Sequence, residues 1–329
     1  MQKNLLNIVD LFTKKNILVI GDLILDRFSI GEVERVNPEQ PAAHLVKITK
    51  EKYVLGGAAN VANNLSSLGA HCTLYGLLGN DGPSKMIMKL CRSNKIKLKY
   101  FNSNSKTIVK QRVIAHSQQI TRMDFGEKKL RKITNSTKEK IINQLKRDIK
   151  FYDFIILSDY DKALFTEELT REIISLARDF NIRILADPKP QNIDFFKGVF
   201  LISPNKSEAE KITKIKYEPK QEILEKIGEN LCKRINSRYV IITCSEDGVF
   251  VYDNESKKSS LIKTQAKEVS DVTGAGDTFA ATLVLALASG LEIYDSVKLA
   301  NHAAGIVVGK VGTATISLNE LQKSLNQNP

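Results

Sequence analysis

The sequence predicts an α/β protein: a mainly parallel sheet flanked by helices, with a small antiparallel β-lid added to it. Short, wholly apolar runs alternate with amphipathic stretches, the pattern of strands covered on both faces and joined by helical crossovers. Two stretches, about 28–54 and 107–125, break that alternation with polar–apolar β patterning and no helical spacer, and these predict the lid. Polar residues follow directly after several apolar runs, as they do where a ligand binds beyond the C-terminal ends of parallel strands.

Taken in order, residues 1–16 predict a surface helix, with Leu5, Val9 and Phe12 at helical spacing and Asp10 interrupting any apolar run. Residues 16–21 read as a first buried strand ending in Gly21-Asp22. The pair Gly56-Gly57 leads into a small-residue helix over 58–68. Residues 71–78 form a further strand, followed by a turn at Asn80-Asp81-Gly82 and a helix to about Arg92. Past the second lid stretch, strands are expected at 154–157, 182–185, 199–202 and 239–242, with helices near 166–178 and 220–234. These strands end at Ser158-Asp159, Asp187, Ser203-Pro204-Asn205 and Thr243, and the repetition predicts a shared polar rim. No internal repeat, low-complexity tract or Pro/Gly-rich linker divides the chain, so 1–329 reads as one domain with a lid.

Composition narrows the function classes. The chain has 329 residues, 42% hydrophobic and 26% charged, which is ordinary globular usage. Its formal charge of +12 comes from lysines scattered among acidic residues, with no basic stripe interleaved with aromatics. That excludes a dedicated nucleic-acid surface and leaves a lysine-rich face whose field favours phosphorylated ligands. Cys72, Cys91, Cys232 and Cys244 are widely spaced and form no C-x-x-C pair, so they read as reduced thiols. The longest apolar run, 279–288, is too short to cross a bilayer. The expectation is a soluble cytoplasmic protein with no membrane partner.

The segment richest in chemistry is Asp271-Val272-Thr273-Gly274-Ala275-Gly276-Asp277-Thr278, which opens the apolar helix at 279–288. Glycines let backbone N–H groups turn inward, and a helix start adds unsatisfied donors and a positive dipole end, so Gly274, Ala275 and Gly276 predict an anion hole. A carboxylate beside an anion hole repels the anion and needs another purpose. Asp277 is suited to accept the proton of a hydroxyl that attacks a phosphoryl group. Asp277 as a plain helix cap is the bland alternative. A second segment, Gly56-Gly57-Ala58-Ala59-Asn60-Val61-Ala62, allows close backbone approach and projects Asn60, a donor and acceptor suited to sugar hydroxyls; packing alone explains such glycines equally well.

Both segments, in this order and at this separation, resemble the paired signatures of the PfkB/ribokinase carbohydrate kinase family, and the resemblance runs over about 14–325. It implies a ribokinase-like fold, ATP with Mg2+, and phosphoryl transfer to a sugar hydroxyl. On it, Asp277 is the base, Gly274 to Gly276 stabilise the transferring group, and Asp26 and Asn60 hold sugar hydroxyls near Gly56 and Gly57. Further strings, including Gly21-Asp22-Leu23-Ile24-Leu25-Asp26-Arg27, Arg35-Val36-Asn37-Pro38-Glu39, Ser158-Asp159-Tyr160, Lys110-Gln111-Arg112 and Gly309-Lys310-Val311-Gly312-Thr313, are similar to the branch that phosphorylates D-glycero-β-D-manno-heptose 7-phosphate at C1, a step toward ADP-heptose and the lipopolysaccharide core. The resemblance implies that Asn205, Lys206, Ser207 and Glu208 lie at the nucleotide phosphates, with Glu208 acting on the metal through water. Thr243, Ser245 and Gly248 would line the nucleotide and Asn301 the adenine. Lys110, Arg112 and Lys162 are the candidates for the 7-phosphate, since a dianion wants fixed cations, although each is also readable as an exposed cation. Lids pair between subunits in such relatives, which implies a homodimer.

The chain departs from that pattern at Asn37, Gln40, Ala163 and Cys244, where serine, alanine, glycine and arginine are expected. The sequence also ends before the nucleotidyltransferase domain of the bifunctional relatives, so no such domain is expected within it. There is no G-x-x-x-x-G-K-[ST] or G-x-G-x-x-G fingerprint, and the four histidines have no metal-ligand spacing. The alternatives left open are a PfkB-family kinase for a different sugar or sugar phosphate and, more remotely, a non-catalytic sugar or nucleotide sensor.

Overall fold

The computed structural model describes residues 2–36, 44–116, 118–126, 133–264, 273–310 and 314–327. Expectations resting on Asn37, Pro38, Glu39, Gln40, Asp271, Val272, Val311, Gly312 and Thr313 lie outside the described residues.

In chain order, helix α1 (Gln2–Asp10) precedes strands β1 (Asn16–Gly21), β2 (Leu23–Val36) and β3 (His44–Gly57). Then follow α2 (Ala58–Ser67), β4 (His71–Leu78), α3 (Gly82–Ser93), β5 (Lys97–Asn102), β6 (Ile108–Ala115), β7 (Gln118–Phe125) and α4 (Asn135–Asp148). The second half holds β8 (Phe154–Ser158), α5 (Glu167–Asp179), β9 (Arg183–Asp187), β10 (Leu201–Ile202), α6 (Lys206–Thr213), α7 (Gln221–Ile235) and β11 (Tyr239–Thr243). It closes with β12 (Val249–Asp253), β13 (Ser259–Ile262), α8 (Ala275–Ala288), α9 (Ile293–Val308) and α10 (Leu318–Gln327).

The large sheet runs in the order β13-β12-β11-β10-β9-β8-β1-β4-β5. It is parallel from β11 to β5, with β12 and β13 added antiparallel at one edge. Strand β1 shows why these runs are apolar throughout: Ile17 and Val19 enter the core shared with α2, α8 and α9, whereas Leu18 and Ile20 enter the core shared with α4, α5 and α7. Capping residues start several of the flanking helices. Thr166 accepts from the amide of Leu169 at 3.3 Å, and Asp81 and Ser84 form a reciprocal capping box.

The small sheet has the order β3-β2-β6-β7. Its outer pairs are antiparallel and its central pair, β2 with β6, is parallel. Its strands root deeper than the polar patterning suggests: β2 begins at Leu23, one residue after β1 ends, and β3 runs on to Gly57. The stem residues Leu23, Ile24, Leu25 and Leu55 are buried, so the small sheet grows out of the core instead of lying on it. Because β1, β8, β9, β10 and β11 point the same way, Gly21-Asp22, Ser158-Asp159, Asp187, Ser203 and Thr243 stand along one rim, with the small sheet rising from it. No helix among the described residues is long and apolar enough to cross a membrane, and all four cysteines are buried free thiols.

Candidate active site

Two helix starts meet at the rim. Gly57 precedes α2 and Gly274 precedes α8, Gly274 at φ 87°, a left-handed conformation that glycine adopts without a Cβ clash. The helices are locked together at their first turns: Thr278 Oγ1 donates to Asn64 Oδ1 at 2.7 Å, and Asn64 Nδ2 donates to the Asn60 carbonyl at 2.9 Å. This register sets Asn60 opposite Asp277. Asn60 Nδ2 donates to Asp277 Oδ2 at 2.6 Å, and the Tyr160 hydroxyl donates to Asp277 Oδ1 at 3.0 Å. Asn60 Oδ1 is buried without a partner, an acceptor available to a hydroxyl group.

The first amides of α8 have no intrahelical acceptor, and a Cβ added at Gly276 would meet nothing within 4 Å, so the surface beside that residue is open. Burial pushes the Asp277 carboxyl up to about 6; the hydrogen bonds from Asn60 and Tyr160 and the Lys189 charge moderate the rise, and Asp26 adds to it. An acid of that strength is ionised at neutral pH and is a better proton acceptor than an ordinary aspartate.

On the lid side, Asp26 is buried and accepts from Arg112 Nη1 at 2.6 Å. Gly56 makes room for it: a Cβ there would lie 2.1 Å from Asp26 Oδ2. Lys110 pairs across β2 with Asp26 and lies with its Nζ 5.2 Å from the Tyr160 ring centre. Burial lowers the Lys110 pKa, Asp26 and Asp124 counter it, and Lys162 and Arg122 push the same way as burial. Lys110 and Arg112 thus flank Asp26, whereas Arg122 is engaged by Asp124 at 3.0 Å. Arg112 is already committed to Asp26, so an anion on this face would share it with that carboxylate.

On the other side, Asn205 caps α6 in a reciprocal box: it accepts from the amide of Glu208 at 3.0 Å and donates its own amide to Glu208 Oε2 at 3.0 Å. Glu208 Oε1 accepts from Lys189 Nζ at 2.5 Å. Both Glu208 oxygens therefore serve the cap and Lys189. Asn205 bridges to Thr243, which donates its amide to the Pro204 carbonyl at 3.1 Å. Lys206 pairs with Glu246 at 2.8 Å, Ser207 and Ser245 are exposed, and Gly248 closes a turn by accepting from the Cys244 amide at 2.8 Å. Asn301 Nδ2 donates to the Lys263 carbonyl at 2.9 Å. Cys244, where arginine is expected, is fully buried with its thiol turned to the Ile242 carbonyl at 3.3 Å, and it offers nothing to a ligand.

Asp187 lies in this group with its pKa raised, because burial and the carboxylates of Glu208, Asp277 and Asp159 outweigh the Lys189 charge. Among the described residues no three His, Cys, Asp or Glu side chains form a metal cage. The crowded carboxylates of Asp187 and Glu208 fit a hard divalent cation that draws its other ligands from phosphate and water.

Residues without an assigned role in the sequence reading hold the site in shape. Buried Asp22 accepts the amides of Tyr160 at 2.9 Å, Lys162 at 3.0 Å and Leu164 at 3.4 Å. Asp159 accepts the amides of Asp161 at 2.7 Å and Lys189 at 3.1 Å, and Asn192 Nδ2 at 2.9 Å. Two rim aspartates are therefore anchors for the loop that carries Tyr160. Lys189 is the principal omission, and its signal was present: a lysine between prolines directly after a strand, in Asp187-Pro188-Lys189-Pro190, has little freedom to point elsewhere.

The bifunctional protein HldE of Sulfurimonas denitrificans is 43% identical over 320 residues, covering 97% of this chain and 65% of that protein. HldE of Aliarcobacter butzleri is 39% identical over 312 residues, covering 94% and 64%. The chain thus spans a little under two thirds of the length of these relatives. Among solved structures, phosphofructokinase-2 from Escherichia coli in complex with substrates and products superposes with a TM-score of 0.78 at 16% identity, covering 95% of this chain and 99% of that one. Arabidopsis thaliana ribokinase complexed with ribose and ATP gives 0.72 at 17%, covering 94% and 98%. Both show the ribokinase-like fold. The model of the pfkB family carbohydrate kinases matches residues 14–320, and the chain belongs to that family.

Proposed function

We propose that this chain transfers the γ-phosphoryl group of ATP to the C1 hydroxyl of D-glycero-β-D-manno-heptose 7-phosphate. The observation that carries the reading is the Asp277 carboxylate, held at both oxygens in the first turn of α8, next to the helix's first amides and the open surface at Gly276. The sugar lies between Asp26, Asn60 and Gly57, its 7-phosphate toward Lys110, Arg112 and Lys162. The nucleotide lies along Asn205, Lys206, Ser207, Thr243, Ser245 and Gly248, with its base toward Asn301. Asp187 and Glu208, the latter through water, would hold Mg2+, which would supply positive charge against the phosphates.

Each Asp277 oxygen has lone pairs left beside its present donor, so it accepts the sugar hydroxyl proton without losing its supports. The proton moves late, as bonding to phosphorus acidifies the hydroxyl. The amides of Ala275 and Gly276 then face the charge on the transferring group. Choice of heptose over another sugar rests on the resemblance of the lid and rim strings, on the HldE relatives, and on Lys110 and Arg112 beside Asp26. Exposed Leu45, Ile48, Met123 and Phe125 on the small sheet support pairing of two lids in a homodimer.

A panel of heptose 7-phosphate, fructose 6-phosphate and ribose, read by ADP release, tests the substrate. Heptose 7-phosphate should lead in kcat/KM by at least about a hundredfold, as expected where buried polar groups are matched to one substrate. Equal rates on all three would overturn the heptose reading and leave a broader sugar kinase. Tight binding of ATP and sugar with no turnover on any would favour a sensor.

A further inference from the structure

We infer that Tyr160 is a positioning residue for the catalytic base: its hydroxyl fixes Asp277 in the orientation that receives the sugar proton, and its ring ties that orientation to both substrate sides. The inference rests on Asp277 being the base. The geometry is specific. Tyr160 OH reaches Asp277 Oδ1 at 3.0 Å, while Asn60 holds Oδ2. Two ammonium groups lie over the Tyr160 ring, Lys110 Nζ at 5.2 Å and Lys189 Nζ at 5.4 Å. Lys110 belongs to the lid strand beside Asp26, and Lys189 to the group that holds Glu208. One ring therefore touches a lid cation, a nucleotide-side cation and the base.

The backbone is built to keep it there. Three amides of the 160–164 loop converge on buried Asp22, and the loop accepts φ of 56° at Asp161 and 70° at Ala163 to do so. Burial and the Asp277 charge raise the phenol far above its ordinary range, so it stays a donor at every working pH. The groups that face Asp277 are then Asn60 from α2, Asp26 from β2, Tyr160 after β8, and Asp187 and Lys189 at the end of β9. Tyr160 and Asn60 are the ones that hydrogen-bond its carboxylate, and Asn60 is also required by the sugar.

Tyr160→Phe removes the hydroxyl and keeps the ring between its cations. The expected result is a fall in kcat of about thirtyfold, the scale of one hydrogen bond to a charged group, with KM for the sugar within about threefold. The acid limb of the kcat/KM profile should also move to higher pH, since a donor that favours the ionised carboxylate is gone. Carboxyl NMR of Asp277 without substrate reads the same upward shift independently of turnover. A purely structural tyrosine would lower Tm and leave limb and carboxyl titration in place. Asp277→Asn is measured alongside. Full activity of Asp277→Asn would sink the base assignment itself, whereas an inactive Asp277→Asn beside a Tyr160→Phe enzyme with wild-type kcat and an unmoved limb would overturn only this inference.

Discussion

Asp277→Asn should make the protein a far worse enzyme and a more stable one. Burial raises the carboxyl from its ordinary 3.8 to about 6, so the folded chain holds the ionised form at a disadvantage relative to the unfolded chain. An acid whose folded pKa is raised costs stability above that pKa and nothing below its unfolded one. The full penalty at neutral pH is about 3 kcal/mol and fades as the pH falls through the window between the two values. Asparagine is close in shape and carries no charge. It can accept from Asn60 and donate to Tyr160, so the packing of the two helix starts survives. The expected Tm gain at pH 7.5, without nucleotide, is roughly 4–6 °C for a chain of this size. At pH 5 the gain should shrink to about half, because the wild-type carboxyl is by then mostly protonated. Turnover should fall about a thousandfold. Differential scanning fluorimetry at both pH values, with ADP release at saturating substrates, reads all three quantities. An unchanged Tm at pH 7.5, or a gain that does not shrink toward pH 5, refutes the claim that burial sets the strength of this base.

Further outcomes follow from the same geometry. In the wild type, kcat/KM should decline about tenfold per pH unit below about 6, where Asp277 takes up a proton, and a flat profile down to pH 5 would contradict the upward shift that burial imposes on it. Ala163→Gly should stabilise the fold by about 1 kcal/mol in chemical denaturation, because Ala163 sits at φ 70° where only glycine is unstrained. Asp22→Ala strips the acceptor from three amides of the Tyr160 loop; it should cost about 3 kcal/mol and lower kcat more than it raises KM for ATP. Gly56→Ala would drive a Cβ to 2.1 Å from Asp26 Oδ2, and the displaced carboxylate should raise KM for the sugar at least about tenfold while Tm changes little.

Much of the fold was legible because its strands carry their burial in their composition. Asn16–Gly21, Phe154–Ser158 and Tyr239–Thr243 are apolar on both faces and lie in the parallel sheet as read. The run at 199–202 paired only at Leu201–Ile202, since Val199 packs in the core without joining the ladder. β5, β12 and β13 escaped notice: β5 and β13 are edge strands whose exposed or half-exposed residues, such as Lys97, Lys99, Ser259 and Ser260, lack the apolar signal, whereas β12 carries a buried apolar run that was passed over. At the site, the helix start at Gly274 to Asp277 was readable because glycines before an apolar helix leave few physical options. The loop anchors were not. Asp22 and Asp159 bear the same carboxylate as a ligand-binding residue, and only the distances to backbone amides distinguish an anchor from a ligand.

One feature of the chain path sets how this enzyme can move. Asp22 alone separates β1 from β2, so the lid is the main sheet's own strand turned outward, with no hinge loop between them. β2 then extends for 14 residues, a reach of roughly 45 Å at about 3.3 Å per residue. Near its base the stem is buried and paired on both sides; the first register irregularity in its pairing with β3 comes at Ile30/Gly31. Asp26 lies below that bulge, in the part of the strand that pairs with both β3 and β6. The carboxylate proposed to hold the sugar thus stands on a stem continuous with the main sheet, not on the outer part of the lid.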